Sequence, residues 1–306
     1  MLRGLRRVRA RMQAPLAALA ARSGSSQRVH YQQPAGRSLP IFRAPRRDRV
    51  APLFATTCMN PSLPEVNFSD WGDVRYLHLG TEWVQGSMKL DAPFEIELEY
   101  VQRMMAWLLF VEPASVAKRH AMQLGLGAAS LTKFCRKQLR MRTTAIELNP
   151  QVVAACRGWF KLPADDLKLS VVIADAAQEI RRPQWSESVD ALQVDLYDHE
   201  AAAPVLDSED FYADCRRLLT EDGSMTVNLF GRSSSYERSV EKIVAAFGAE
   251  AVWAFKPTRE GNTVVLAQRN ASRPKRTLLA ERAQSIQTRW GLPAPKWLRV
   301  FKAHVL

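Results

Sequence analysis

The chain has 306 residues, a formal net charge of +12, 47% hydrophobic and 24% charged residues, which excludes wholesale disorder and leaves room for a large core. Its longest uninterrupted apolar run, residues 104–111, has eight residues, too few for a membrane span. Residues 1–50 hold twelve Arg and one acid, residues 51–268 are net −7 and residues 269–306 net +8, so the basic charge sits in the two ends and the main domain is not expected to bind nucleic acid.

Residues 1–50 read as a basic, disordered extension, with an organelle transit peptide as the alternative because a short apolar patch, 14–21, follows basic residues. Residues 51–112 read as a small β unit and a linking helix. Val74–Leu79 alternates, Gly80-Thr81 turns and residues 82–85 return, a hairpin pattern. Over 96–110, Val101, Met104, Met105 and Leu108 recur at helical spacing until Pro113 closes the segment. The cysteines at 58, 135, 156 and 215 show no C-x-x-C spacing, which argues against a disulfide framework or a metal site and for a reducing, cytoplasmic setting. Cys135, Cys156 and Cys215 fall in helical patterns, where a free thiol acts as a small core group.

Residues 113–269 alternate strand and helix. Strands are expected at 120–124, 143–147, 169–174, 191–195, 225–229, 251–255 and 263–267, with helices at 130–139, 150–160, 176–181, 208–219 and 234–247. Such alternation implies a mostly parallel sheet covered on both faces. Residues 256–262 are too few for a crossover helix, so the last two strands should form an antiparallel hairpin. A seven-stranded α/β sheet closed by such a hairpin is the pattern of the class I AdoMet-methyltransferase, or Rossmann-like, fold. Residues 270–306 form a basic helical segment. Leu279, Ala283, Ile286 and Trp290 share one face there, suited to docking on the body or on a partner subunit.

Four features stand at the ends of successive strands, where an open parallel sheet binds ligands. The turn Gly125-Leu126-Gly127-Ala128-Ala129-Ser130 offers Gly125 for tightness and Gly127 for close approach of a ligand; Ser130, in the place of the third dinucleotide-fingerprint glycine, argues against NAD. Glu147 ends the next strand and can accept both ribose hydroxyls, or serve as a helix N-terminal carboxylate. Asp175 can receive an adenine amino group or cap the helix that follows it. Asp195, Tyr197 and Asp198 make an acidic loop suited to a cationic amine, in which one carboxylate orients the amine and the other takes its proton; the alternative is a solvated loop.

From about Asn67 to Arg269 the order of these parts resembles the spermidine synthase (polyamine aminopropyltransferase) family. The later Asp210-Phe211-Tyr212 and Leu218-Leu219-Thr220-Glu221-Asp222-Gly223 are similar to the segment after that family's active-site loop. The resemblance implies that Gln85 lies near the donor's propylamine arm, Glu147 on the ribose and Asp175 on the adenine side. It also implies that Asp195 deprotonates the attacking amine and Asp198 helps to hold the polyamine. Three positions depart from the pattern. Ala128 replaces an aspartate that contacts the arm's amino group, His199 follows Asp198 where the family has proline, and Leu98-Glu99-Tyr100 stands where the family's Tyr-His-Glu is expected.

The resulting expectation is an aminopropyltransferase that uses AdoMet or decarboxylated AdoMet as co-substrate, needs no metal and takes a small amine; a homodimer is an open expectation. The alternatives are an AdoMet-dependent methyltransferase and a non-catalytic binding protein on the same fold.

Overall fold

The computed structural model describes residues 63–197, 206–230 and 233–304. The extension read over 1–50 and the site candidate Asp198 lie outside the described residues.

Strands β1 (Val66–Trp71), β2 (Val74–Leu79) and β3 (Gly86–Lys89) form a small antiparallel sheet in that order. Gly72, at φ +60°, makes the turn between β1 and β2. The strand that returns along β2 is Gly86–Lys89, a correction to the hairpin read over 82–85. Register decides it: pairing Leu77 with Gly86 puts Leu77 and Met88 on one face, where both are fully buried. Residues 82–85 instead form a loop folded over β2, with the Trp83 carbonyl 3.1 Å from His78 Nδ1.

The linking segment is a short helix, α1 (Glu99–Arg103), followed by a turn at Met104-Met105 and a 3-10 stretch, Ala106–Phe110. The continuous helix expected over 96–110 is thus broken. At the break the Met104 carbonyl is taken by Thr226 Oγ1, which donates to it at 2.9 Å, and the Arg103 side chain reaches out to the Lys256 carbonyl, to which its Nη1 donates at 2.6 Å. Beyond the break, Ala106, Trp107, Leu108 and Leu109 are all buried, so the segment runs through the core and has no solvent face to set a helical stripe.

The main sheet has the order β11-β9-β10-β8-β7-β4-β5-β6. Its strands are β4 (His120–Leu124), β5 (Arg142–Glu147), β6 (Leu169–Ile173), β7 (Val189–Val194), β8 (Leu219–Phe230), β9 (Val252–Phe255), β10 (Asn262–Gln268) and β11 (Phe301–Ala303). The run from β8 to β6 is parallel, and β10 pairs antiparallel with both β8 and β9. The expected closing hairpin is therefore present. The eighth strand, β11, corrects the count of seven. It is three residues long, too short to carry a pattern, and is held by Phe301, whose ring lies 4.5 Å from that of Phe255 and 5.4 Å from that of Trp253.

The helices are α2 (Ser130–Lys133, continued by a π turn Phe134–Gln138), α3 (Pro150–Trp159), α4 (Ala176–Glu179), α5 (Glu209–Leu218), α6 (Ser233–Phe247), α7 (Arg276–Trp290) and α8 (Ala294–Trp297). Helix α7 docks on the body through Leu279, Ala283 and Ile286, with Trp290 half-buried beside them. Cys135, Cys156 and Cys215 are free and buried, as apolar core groups. Among the described residues no helix is long and apolar enough to cross a membrane. Strand order reverses between β4 and β7, since the chain moves outward from β4 through β5 to β6 and then returns to β7 on the other side. That reversal opens a crevice at the carboxyl ends of β4 and β7.

Candidate active site

A cavity of about 710 Å³ fills the crevice. Gln85, Gly125, Gly127, Glu147, Asp175, Asp195 and Tyr197 all line it, so every candidate residue within the described part of the chain meets in one place.

The glycine turn is built by close backbone approach. Gly125 has φ +87°, and a Cβ there would stand 2.4 Å from the Asp195 carbonyl oxygen. The missing side chain therefore lets β4 and β7 close side by side. Gly127 has φ +49°, and a Cβ on it would stand 2.8 Å from the Gln85 carbonyl oxygen. The chain itself thus makes one close approach there, while Gly127 also lines the cavity. Ser130 Oγ donates to the Ser87 carbonyl at 2.8 Å, a second tie between this turn and the N-terminal sheet.

Glu147 is largely buried at the end of β5. Its Oε2 accepts from the Leu126 N–H at 2.9 Å and its Oε1 from the Asn149 N–H at 2.8 Å. Burial pushes its pKa up, and the backbone donors of Asn149, Leu126 and Leu148 pull the other way. One carboxylate thus braces two loops while it lines the cavity. Asp175 caps α4, accepting from the Gln178 N–H at 3.0 Å, while it lines the cavity. Asn149 caps α3 in the same way, through Gln151.

Asp195 follows β7. Its Oδ2 accepts from the Tyr100 hydroxyl at 3.2 Å and its Oδ1 from Asn228 Nδ2 at 3.0 Å. Asn228 is oriented in turn by Asn262, whose Nδ2 donates to Asn228 Oδ1 at 3.2 Å. Burial raises the Asp195 pKa to about 6, with the Asn228 and Tyr100 hydrogen bonds restraining the rise. Such a carboxylate is ionised at neutral pH yet basic enough to take a proton. Tyr197 serves a different end: its hydroxyl donates to the Asn228 carbonyl at 3.0 Å and accepts from the Phe230 N–H, which holds the end of β8. Ser208 caps α5, accepting from the Phe211 N–H at 3.1 Å. Asp207 accepts from the Tyr212 hydroxyl at 2.8 Å and pairs with Lys242 at 2.7 Å.

Tyr100, Asn228 and Asn262 escaped the sequence reading as site residues. For Tyr100 the signal was present, because it lies in the segment compared with the family's Tyr-His-Glu. For the asparagines there was none, since buried polar residues on strands look alike until their partners are known.

The cavity's charge is one-sided. Its described lining includes six carboxylates, Glu97, Glu99, Glu147, Asp175, Asp195 and Glu260, and neither a lysine nor an arginine. No group of His, Cys, Asp and Glu among the described residues is arranged to hold a metal ion.

No family model matches the chain. A polyamine aminopropyltransferase of Neisseria meningitidis is 34% identical over 242 residues, covering 78% of this chain and 90% of the relative. One from Chromobacterium violaceum is 32% identical over 250 residues, covering 81% and 91%. Among solved structures, a probable spermidine synthase from Corynebacterium glutamicum matches with a TM-score of 0.61 at 18% identity, covering 77% of this chain and 88% of that one. Human methyltransferase-like protein 13, in complex with SAH, matches with a TM-score of 0.57 at 19% identity, covering 64% and 93%. The two structures share the fold, that of the class I methyltransferases, and the two sequence relatives carry the kinship. The chain belongs to the polyamine aminopropyltransferase family.

Proposed function

We propose that this protein transfers an aminopropyl group from decarboxylated AdoMet to a small amine, with Asp195 as general base. The observation that carries this reading is the absence of lysine and arginine among the described residues lining a cavity that six carboxylates face. AdoMet carries a carboxylate, which would enter with no cation to meet it and several like charges nearby. Decarboxylated AdoMet presents only an ammonium and a sulfonium, and the acceptor is also a cation. The same wall is therefore attractive to both substrates and hostile to the methyl donor.

The residues divide the task. Glu147 offers its carboxylate to the ribose hydroxyls, and Asp175 offers its own to the adenine amino group. Gln85 lies beside the glycine turn, near the arm to be transferred. Tyr100 and Asn228 hold Asp195 in one orientation, and Asp195 takes a proton from the attacking nitrogen. That nitrogen forms a bond to the terminal carbon of the propyl arm as the carbon–sulfur bond breaks. The sulfonium leaves as the neutral thioether methylthioadenosine, so charge and atoms balance. Positioning and proton removal supply the rate.

The test is mass spectrometry of the full-length protein with decarboxylated AdoMet and a panel of diamines. Methylthioadenosine and an amine heavier by one aminopropyl unit are expected. A methylated amine formed from AdoMet, with neither of those products, would overturn the reading.

A further inference from the structure

Six carboxylates line the cavity, and their partners sort them. Glu147 braces two backbone N–H groups, Asp175 caps α4, and Asp195 is held by Tyr100 and Asn228. Glu99 is paired with Arg103 at 2.6 Å. Glu97 and Glu260 line the cavity and form no ion pair among the described residues. The two stand in different surroundings. Glu260 belongs to the β9–β10 hairpin, two residues before Asn262 on the Asp195 side. Glu97 is tied to the glycine turn: its Oε2 accepts from Ser87 Oγ at 2.6 Å, and the Ser87 carbonyl accepts from Ser130 Oγ at 2.8 Å.

The glycine turn itself offers no charge for an ammonium. Ala128 is 2% exposed and packs on Gly86 so tightly that a Cβ on the glycine would lie 2.7 Å from the Ala128 Cβ. The buried Ser87 side chain follows directly. Its hydroxyl donates to the Glu97 carboxylate and orients it, and brings no positive charge to it.

We infer that Glu97 receives the ammonium of the donor's aminopropyl arm and thereby makes the protein selective for the decarboxylated donor. This rests on the aminopropyl-transfer reading and adds to it the residue that senses the arm. Glu97 then plays for the donor the part that Asp195 plays for the acceptor, and the two amines meet separate carboxylates.

The experiment is isothermal titration of the full chain and of Glu97→Gln with three ligands: methylthioadenosine, which lacks the arm, decarboxylated AdoMet and AdoMet. In Glu97→Gln, affinity for decarboxylated AdoMet should fall about tenfold to a hundredfold, the range for a lost charge-assisted hydrogen bond. Methylthioadenosine affinity should stay within about twofold, since that ligand makes no contact through an ammonium. Preference for decarboxylated AdoMet over AdoMet should shrink by the same tenfold or more. Ser87→Ala, which keeps the charge and removes only its orientation, should weaken the decarboxylated donor by less than Glu97→Gln does. Unchanged affinity for decarboxylated AdoMet in Glu97→Gln, or an equal loss for all three ligands, would overturn the assignment of Glu97 alone. Failure of methylthioadenosine and decarboxylated AdoMet to bind the unaltered protein would overturn the aminopropyl-transfer reading as well.

Discussion

The Tyr100 hydroxyl lies 3.2 Å from Asp195 Oδ2, across 95 positions of sequence. It joins a five-residue helix of the linking segment to the end of β7. The contact stabilises the ionised carboxylate and opposes the effect of its burial. Tyr100→Phe should therefore raise the Asp195 pKa above its value of about 6. The acid limb of the kcat/KM profile should move to higher pH, with a loss of about tenfold at neutral pH that narrows toward pH 9. A limb that stays in place would show that the hydroxyl does not act through Asp195.

In the unaltered protein the same limb should fall at about pH 6, with activity rising as Asp195 loses its proton. Asp195→Asn should lower kcat by about 10² to 10⁴-fold. Methylthioadenosine should still bind this variant, because the proposed nucleoside contacts, Glu147 and Asp175, are unaltered. Steady-state rates between pH 5 and 9, with ligand titration of the variant, check both statements.

Glu147→Gln keeps one acceptor and turns an amide NH₂ toward a backbone N–H. The Leu126 or the Asn149 donor is then left unpaired. Nucleoside affinity should fall about tenfold or more, and stability by about 1–3 kcal/mol. Calorimetric titration and urea unfolding read the two effects separately.

Gly125→Ala imposes a side chain on a backbone at φ +87°, with its Cβ 2.4 Å from the Asp195 carbonyl. Both the left-handed conformation and the clash oppose it. A loss of at least about 1–2 kcal/mol is expected from the conformation alone. Activity should fall further than stability, because the displaced atom belongs to Asp195, the proposed general base. Thermal unfolding and kcat, measured on the same preparation, test this.

Stability itself should depend on pH through His120, buried at the opposite end of β4. Burial pushes its pKa from the ordinary value to about 4; the Ser188 carbonyl and Asp190 favour the cation, while Arg142 opposes it. Because the folded pKa lies below the unfolded one, the unfolded chain binds more protons below about pH 6.5. Stability is therefore full above that pH and lost as pH falls toward 4, by up to about 3 kcal/mol. Asp195, whose raised pKa works with the opposite sign over the same interval, offsets part of this. The His120 share is therefore read as the difference between the unaltered protein and His120→Gln in urea unfolding at pH 7.5 and 4.5, and it should be larger at pH 4.5.

Much of this molecule could be read before any coordinates. The alternation of apolar strands with helices, and the short link at 256–262, defined a mostly parallel sheet closed by a hairpin. Topology then brought Glu147, Asp175 and Asp195 together, because parallel strands end on one side of their sheet. That inference needs only the order of elements and the residue at the end of each. What surrounds Asp195 has no such rule. Tyr100 and Asn228 reach it from a linking helix and from β8, and their spacing in the chain carries no trace of the contact. At the break the Met104 carbonyl is taken by Thr226, a partner far along the sequence, so local periodicity still suggested a continuous helix. Gly127 lines the cavity, but that the Gln85 carbonyl packs against it needed the fold. Periodicity and strand ends are local properties, which a chain carries in its own order. Hydrogen-bond partners, burial and the pKa values they set belong to distances that exist only after folding.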